Sequence, residues 1–304
     1  MISFVCIEGP TASGKSQLAL ELAEALATEI ISADSRQIYR FMDIGTAKVS
    51  PAARDRISHH LVDIINPDES YNAGAFVKDA SEIISGLHAK QKLPIICGGT
   101  GLYIRSLIEG LFTLPELPVA IRLELKDRLI NEGLDLLFKQ LVELDPVFAA
   151  KISANDVQRV LRGLEIALGT GIPITEHWRQ QAQSKSYKVF RILLNPPRDE
   201  LYLRINSRMQ KMLKDGLIQE IAGLFKLGFT ESSPGLNSLG YKEFMPYFLE
   251  QATLDVCSSL AAQHHRNYAK RQTTWYRRCT FDLTLTSSQI KLSETVKKIE
   301  DSFY

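Results

Sequence analysis

Eight residues near the start of the chain set the class of chemistry open to it. Gly9, Pro10, Thr11, Ala12, Ser13, Gly14, Lys15 and Ser16 follow the spacing G-x-x-x-x-G-K-S, that of a loop wrapping a di- or triphosphate. Two glycines permit a tight turn in which successive N–H groups point inward at an anion. Lys15 adds a point charge, and the Ser16 hydroxyl can ligate magnesium. The competing reading is a glycine-rich turn with a stray lysine. The context argues against it, because the apolar run Ile2–Ile7 precedes the loop and the helix-favouring stretch Gln17–Ala27 follows.

Two further segments could complete such a site. Ala33-Asp34-Ser35-Arg36-Gln37 follows the apolar run Glu29–Ser32. A carboxylate there could ligate magnesium, act as a general base, or cap a helix. Gly98-Gly99-Thr100-Gly101-Leu102-Tyr103 follows the run Leu93–Cys97. In phosphate-loop NTPases the corresponding strand often ends in a magnesium-holding acid. Cys97 and glycines here suggest a hydroxyl and backbone surface for close ligand approach, or a tight strand-to-helix turn.

A third signal is electrostatic. The segment from His265 to Arg278 carries five basic residues, Arg266, Lys270, Arg271, Arg277 and Arg278, and no acidic one. At about 100° per residue, Arg266, Lys270 and Arg277 fall in one row on a helix and Arg271 and Arg278 in a second. Tyr268, Trp275 and Tyr276 are interleaved, a pattern suited to a nucleic-acid backbone with bases to stack, or to a solvated charged face. Gln158-Arg159-Val160-Leu161-Arg162 supplies a second basic cluster, and the two could wall a groove. The adjacent pairs His59-His60 and His264-His265 do not share a face and read as structural or surface residues.

The elements that must position these groups alternate at first. Strand-like runs at Ile2–Ile7, Glu29–Ser32 and Leu93–Cys97 enclose helical stretches, the clearest being Ala73–Gln91. This βαβ rhythm predicts an α/β fold, a parallel sheet flanked by helices with ligands collected at the carboxyl ends of its strands. The loops Gly9–Ser16, Asp34–Gln37 and Gly98–Thr100 should therefore converge. After Leu114-Pro115 and Leu117-Pro118 only helical periodicity follows, with a helix start at Asp145-Pro146 and a turn at Gly169–Pro173. A strand returns at Val189–Leu194. We expect a core of residues 1–114 and 187–304, interrupted by an all-helical insertion over 115–186.

Composition narrows the class. The chain has 304 residues, 45% of them apolar, and a net charge of +1, so any polyanion site must come from local clustering. Cys6, Cys97, Cys257 and Cys279 form no metal-ligand spacing and fit a reducing cytosol. No apolar run approaches membrane-spanning length. With a strand starting at once, we expect no secretory signal and a cytoplasmic protein, monomeric by default.

Taken together the motifs resemble the tRNA dimethylallyltransferases, or tRNA isopentenyltransferases, of the bacterial type. The match runs nearly end to end: the phosphate loop, Asp34–Tyr39, Met42–Lys48, His59–Asp63, Gly98–Tyr103, Asn155–Arg159, Gly240–Glu243 and Lys270–Trp275. The resemblance implies a phosphate-loop NTPase-like core and transfer of a dimethylallyl group from its diphosphate to N6 of adenosine 37 in tRNA. The loop, of a type that often serves ATP, would cradle dimethylallyl diphosphate with Mg2+ on Ser16. Asp34 would be the base, and Thr100 would orient the amine. The tRNA anticodon stem-loop would be gripped through Asp34, Ser35, Arg36, Gln37, Thr100, Arg122 and the cluster Gln158, Arg159, Val160, Leu161 and Arg162. It would also touch Asn237, Ser238, Leu239, Gly240, Tyr241 and Lys242, then Lys270, Arg271, Gln272, Thr273, Thr274, Trp275, Tyr276 and Arg277. Eukaryotic relatives often add a C-terminal zinc finger; no such ligand spacing occurs here, and no zinc is expected. Three other readings stay open on the residues alone: a small-molecule kinase, an isopentenyltransferase acting on free AMP or ATP, and a non-catalytic RNA-binding protein.

Overall fold

The computed structural model describes residues 2–110, 117–180 and 187–303. Their compactness divides the chain into two units, Met1–Glu109 with Ser186–Tyr304, and Gly110–Lys185. The expected junction at Leu114-Pro115 and the residue Ser186 lie outside the described residues.

The first unit is built on a six-stranded sheet in which every described pairing is parallel. The strands are β1 (Ser3–Glu8), β2 (Ile30–Ser32), β3 (His59–His60), β4 (Ile95–Gly98), β5 (Lys188–Leu194) and β6 (Leu283–Leu285), in the order β3-β2-β4-β1-β5-β6. Parallel sheets need cover on both faces, and β1 shows how the sequence provides for it. Its alternate residues Val5 and Ile7 join Leu18 and Leu22 of α1 (Lys15–Ala25), while Phe4 and Cys6 join Phe76 and Ile84 of α3 (Ala73–Ala89). Between α1 and α3 lies the short α2 (Pro51–Arg56), and α4 (Gly101–Glu109) follows β4. The chain places β2, β3 and β4 on one side of β1 and β5 and β6 on the other. The crevice at the carboxyl end of β1 is therefore a topological switch point.

The strands expected at Ile2–Ile7, Glu29–Ser32, Leu93–Cys97 and Val189–Leu194 all form, shifted by a residue or two. The two-residue β3 and three-residue β6 were not expected, since neither shows the consecutive apolar residues that mark β2. Cys6, Cys97 and Cys257 are buried free thiols, and Cys279 is a partly exposed one. Among the described residues no helix is long and apolar enough to cross a membrane.

The second unit is helical in its described residues. It comprises α5 (Val119–Glu132), α6 (Leu134–Leu144), α7 (Pro146–Ala149), α8 (Val157–Thr170) and α9 (Ile174–Gln180). Leu125, Leu137, Leu141, Phe148, Val160 and Leu164 form its core. The turn expected from Gly169 starts later, because α8 runs through Thr170 and ends on a left-handed Gly171. Asp145 caps α7 as its Asp-Pro sequence predicts. Its buried Oδ1 accepts from Phe148 N at 2.9 Å and Thr175 Oγ1 at 2.7 Å, and its Oδ2 accepts from Thr175 N at 3.0 Å. The first unit is completed by α10 (Arg198–Lys214), α11 (Leu217–Lys226), α12 (Met245–Phe248), α13 (Leu254–Tyr276) and α14 (Leu292–Phe303).

Asp145→Ala leaves two buried amides and a hydroxyl without their acceptor. It should lower the stability of the insertion by about 3 kcal/mol, read by chemical denaturation followed through Trp178. No shift in the midpoint would show that the carboxylate contributes nothing.

Candidate functional site

The phosphate loop leaves β1 after Glu8 and enters α1 through Gly14, whose φ of 95° is a left-handed conformation natural to glycine. No side chain caps α1, so its first-turn N–H groups have no internal acceptor and can take an anion. Ser13 is buried with its Oγ unpartnered. Lys15 Nζ donates to Pro10 O at 2.8 Å, which folds the ammonium back over the loop. Burial pushes the Lys15 ammonium below its ordinary pKa, with Cys97 and Asp34 pulling it back.

Three loops meet here, as the strand-end rule predicts. Gln272 of α13 accepts from Thr11 N at 2.8 Å and donates through Nε2 to Gly99 O at 2.8 Å. Tyr276 directs its hydroxyl to Gly9 O at 3.4 Å. Thr100 N donates to Ala33 O at 3.2 Å, and Thr100 Oγ1 accepts from Ser35 N at 3.0 Å. Asp34 Oδ1 accepts from Arg36 N at 2.8 Å, so Asp34 caps a turn and not a helix.

Two cavities adjoin these loops. One, of about 380 Å³, is lined by residues 11–17 of the phosphate loop and α1, with Asp34, Gln37, Thr46, Ala47, Arg204, Arg208 and Gln272. The other, of about 340 Å³, lies among Ser35, Arg36, Asn237, Leu239, Lys242, His265 and Arg271. Thr11, Asp34, Thr46, Arg208 and Tyr268 line both. Asp34 is the only carboxylate among the described lining residues of either cavity.

Arg208 of α10 donates to Thr11 Oγ1 at 2.7 Å, and burial pushes its guanidinium down against the opposing pull of Asp34. Arg204 and Arg208, one helical turn apart on α10, had no place in the sequence reading. Their signal was the four-residue spacing, which puts them on one face. Tyr268 and His265 belong to the site as well, Tyr268 lining both cavities and His265 the second.

The remaining expected contacts divide by exposure. Arg36, Asn237, Lys242, Lys270, Arg271, Thr274 and Arg277 are exposed, while Ser35, Gln37, Leu239, Thr273 and Trp275 are half-buried. In the insertion, Arg122, Gln158, Arg159 and Arg162 are exposed and Leu161 is half-buried. Arg122 and Arg162 both grip the buried Glu165 carboxylate at 2.7 Å. Several expected contacts are corrected. Val160 and Tyr241 are 0% exposed core residues, and Ser238 and Gly240 are buried beside Tyr241. Gln272 and Tyr276 face inward onto the loops, so all six of these positions are buried. His59 and His60 form β3, where His60 donates to Glu29 at 2.7 Å. Among the described residues no three His, Cys, Asp or Glu side chains could together hold a metal.

The IPP transferase family model matches residues 37–279. The chain belongs to the IPP transferase family. A tRNA dimethylallyltransferase of Geobacter sulfurreducens is 41% identical over 275 residues, covering 90% of this chain and 88% of its own. One of Carboxydothermus hydrogenoformans is 43% identical over 276 residues, with 90% and 88% covered. Among solved structures, the tRNA isopentenylpyrophosphate transferase of Bacillus halodurans is similar at a TM-score of 0.72 and 35% identity, over 99% of this chain and 97% of its own. A eukaryotic dimethylallyltransferase acting on tRNA reaches a TM-score of 0.85 at 28% identity, over 100% and 79%.

In this transferase, His265 gives the site a pH signature. It is 7% exposed, and burial pushes its imidazole down to about 3, with Arg208 and His264 adding to the effect. As pH falls from about 6.5, the unfolded chain takes up a proton that the folded one refuses, and stability drops by about 1.4 kcal/mol per unit. Above that pH the group contributes its full share. His265→Gln should flatten the acid limb of stability by one proton's slope between about pH 6 and pH 4, measured by urea titration. An unchanged slope would mean that the imidazole charges freely in the folded protein.

Proposed function

We propose that the protein transfers the dimethylallyl group of dimethylallyl diphosphate to N6 of adenosine 37 in tRNA. The observation that carries this reading is the wall common to the two cavities, in which Asp34 stands between a phosphate loop and a rim of exposed basic residues. The family and its relatives' names support the class of reaction.

The chemistry follows from what each side of that wall offers. The donor diphosphate lies against the N–H groups of the loop, with Lys15 and Arg208 facing it. These fixed charges stabilise the negative charge that develops on the leaving diphosphate as the allylic C1–O bond breaks. The acceptor adenine enters the second cavity, leaving its stack in a single-stranded loop where unstacking costs least. Its N6 lone pair forms the new bond to C1. Asp34, with Oδ1 committed to its own turn, takes the N6 proton through its other oxygen. Thr100 Oγ1, already accepting from Ser35 N, has a second lone pair to accept the other N6–H and so orients the amine. Inorganic diphosphate is the second product.

Hard oxygen donors suit magnesium, and the exposed Ser16 hydroxyl at the mouth of the loop fits it together with the donor's phosphate oxygens. When bound, the ion neutralises charge on the leaving group. Grip on the RNA comes from Arg36, Lys242, Lys270, Arg271 and Arg277 of the core and Arg122, Arg159 and Arg162 of the insertion. The protein acts as a monomer in the cytoplasm.

The test is incubation with dimethylallyl diphosphate, magnesium and unmodified tRNA, followed by nucleoside mass analysis. The expected product is N6-prenylated adenosine at position 37. Prenylation of free AMP in preference to tRNA, or ATP consumption without prenyl transfer, would contradict the reading. Asp34→Asn should lower kcat by about a hundredfold or more while tRNA binding is nearly kept. Arg271→Ala should weaken tRNA binding and reduce the salt slope of log K by about one.

A further inference from the structure

The wall shared by the two cavities is held from outside. Gly45 and Thr46 line the second cavity, and Thr46 and Ala47 line the first. This segment is bracketed by two left-handed non-glycine residues, Phe41 with φ 65° and Ala47 with φ 52°. Such backbone persists only where its surroundings over-determine it. On one side the Gln37 amide donates to Ala47 O at 3.2 Å and Thr46 O at 3.4 Å. On the other, Glu220 of α11 receives three consecutive amides: Asp43 N at 2.8 Å, Ile44 N at 2.7 Å and Gly45 N at 3.1 Å. Its Oε1 also accepts from Tyr241 Oη at 2.6 Å. Tyr241 in turn occupies the space that a side chain at Gly45 would need, since a Cβ there would lie 2.4 Å from its ring. Glu220 lines neither cavity.

We propose that Glu220 is a positioning residue for prenyl transfer, its carboxylate fixing the wall between donor and acceptor through the amides of residues 43–45. Four charge-assisted bonds to one carboxylate set the height and tilt of that wall. Gln37 carries the setting on to the turn that holds Asp34. Glu220 touches no reactant. Burial and the neighbouring carboxylate keep the Tyr241 phenol protonated, so it remains a donor across the working pH range. This inference rests on the prenyl-transfer reading, because it assigns the distance between the allylic carbon and the amine to this clasp.

The experiment measures steady-state prenyl transfer to tRNA by the full-length wild type, Glu220→Gln and Tyr241→Phe. Thermal midpoints and amide exchange of residues 43–47 are recorded on the same samples. Glu220→Gln should lower kcat by about tenfold or more with the donor KM nearly unchanged, since the phosphate loop is untouched. Its amides 43–45 should exchange faster. Tyr241→Phe keeps the ring against Gly45 and loses one bond, so its kcat should fall less, and it supplies the readout if Glu220→Gln does not fold. Wild-type kcat per folded molecule in both variants would overturn the proposal, as would a loss confined to the thermal midpoint or carried wholly by donor KM. No turnover by the wild type would instead overturn the prenyl-transfer reading, while the exchange of residues 43–45 would still show whether the clasp exists.

Discussion

One side-chain amide ties together the loops on which the site depends. Loops at the carboxyl ends of parallel strands share no ladder beyond the sheet, and a phosphate loop of converging N–H groups has little of its own to hold it open. Gln272 supplies the missing link, accepting from Thr11 N and donating to Gly99 O. From Gly99 the chain of bonds continues through Thr100 to Ala33 and Ser35, and so to the turn that presents Asp34. The bridge comes from α13, remote in sequence and packed across the strand ends. Leaving the buried Gly99 carbonyl unmet would cost about 1–3 kcal/mol, with the half-buried Thr11 amide adding less, enough to let the loops move apart.

The electrostatics follow from the same arrangement. The whole chain is nearly neutral, at +1, yet Lys15, Arg204 and Arg208 crowd one cavity and Arg36, Lys242 and Arg271 the other. Burial destabilises Lys15 and Arg208 as cations, and the only carboxylate among the described lining residues is Asp34. In the proposed reaction an arriving diphosphate would bring negative charge to both cations at once.

Much of this could be read in the chain. Apolar runs and glycine-rich endings predicted four of the six strands and the meeting of three loops, because those signals are local and strong. The Asp145-Pro146 start, the helices of the insertion and the phosphate loop were legible for the same reason. β3 and β6 were not, since His59-His60 is polar and Thr284 breaks the apolar run at Leu283 and Leu285. The family resemblance carries Lys270–Arg277 over to the tRNA as a contiguous stretch, although its basic residues lie in two rows. A helix turns about 100° per residue, so a contiguous motif samples every face. His265, Ala269, Gln272 and Tyr276, spaced by four, three and four, form the buried stripe, while Arg271 and Lys270 look outward. Val160 fails in the same way, with Leu164 and Ala167 behind it on α8. Tyr241 was legible as important but not as packed, because its partner Glu220 lies on another helix.

The central claim is that Asp34 serves as the base in a wall between diphosphate and adenine. It is tested most directly by a structure of the protein with an unreactive thiodiphosphate analogue of the donor and an anticodon stem-loop. The account predicts the analogue's phosphates on the amides of residues 11–16 and the free Asp34 oxygen within hydrogen-bond distance of the adenine N6. An analogue bound elsewhere, or an adenine whose N6 meets no oxygen of Asp34, would contradict it.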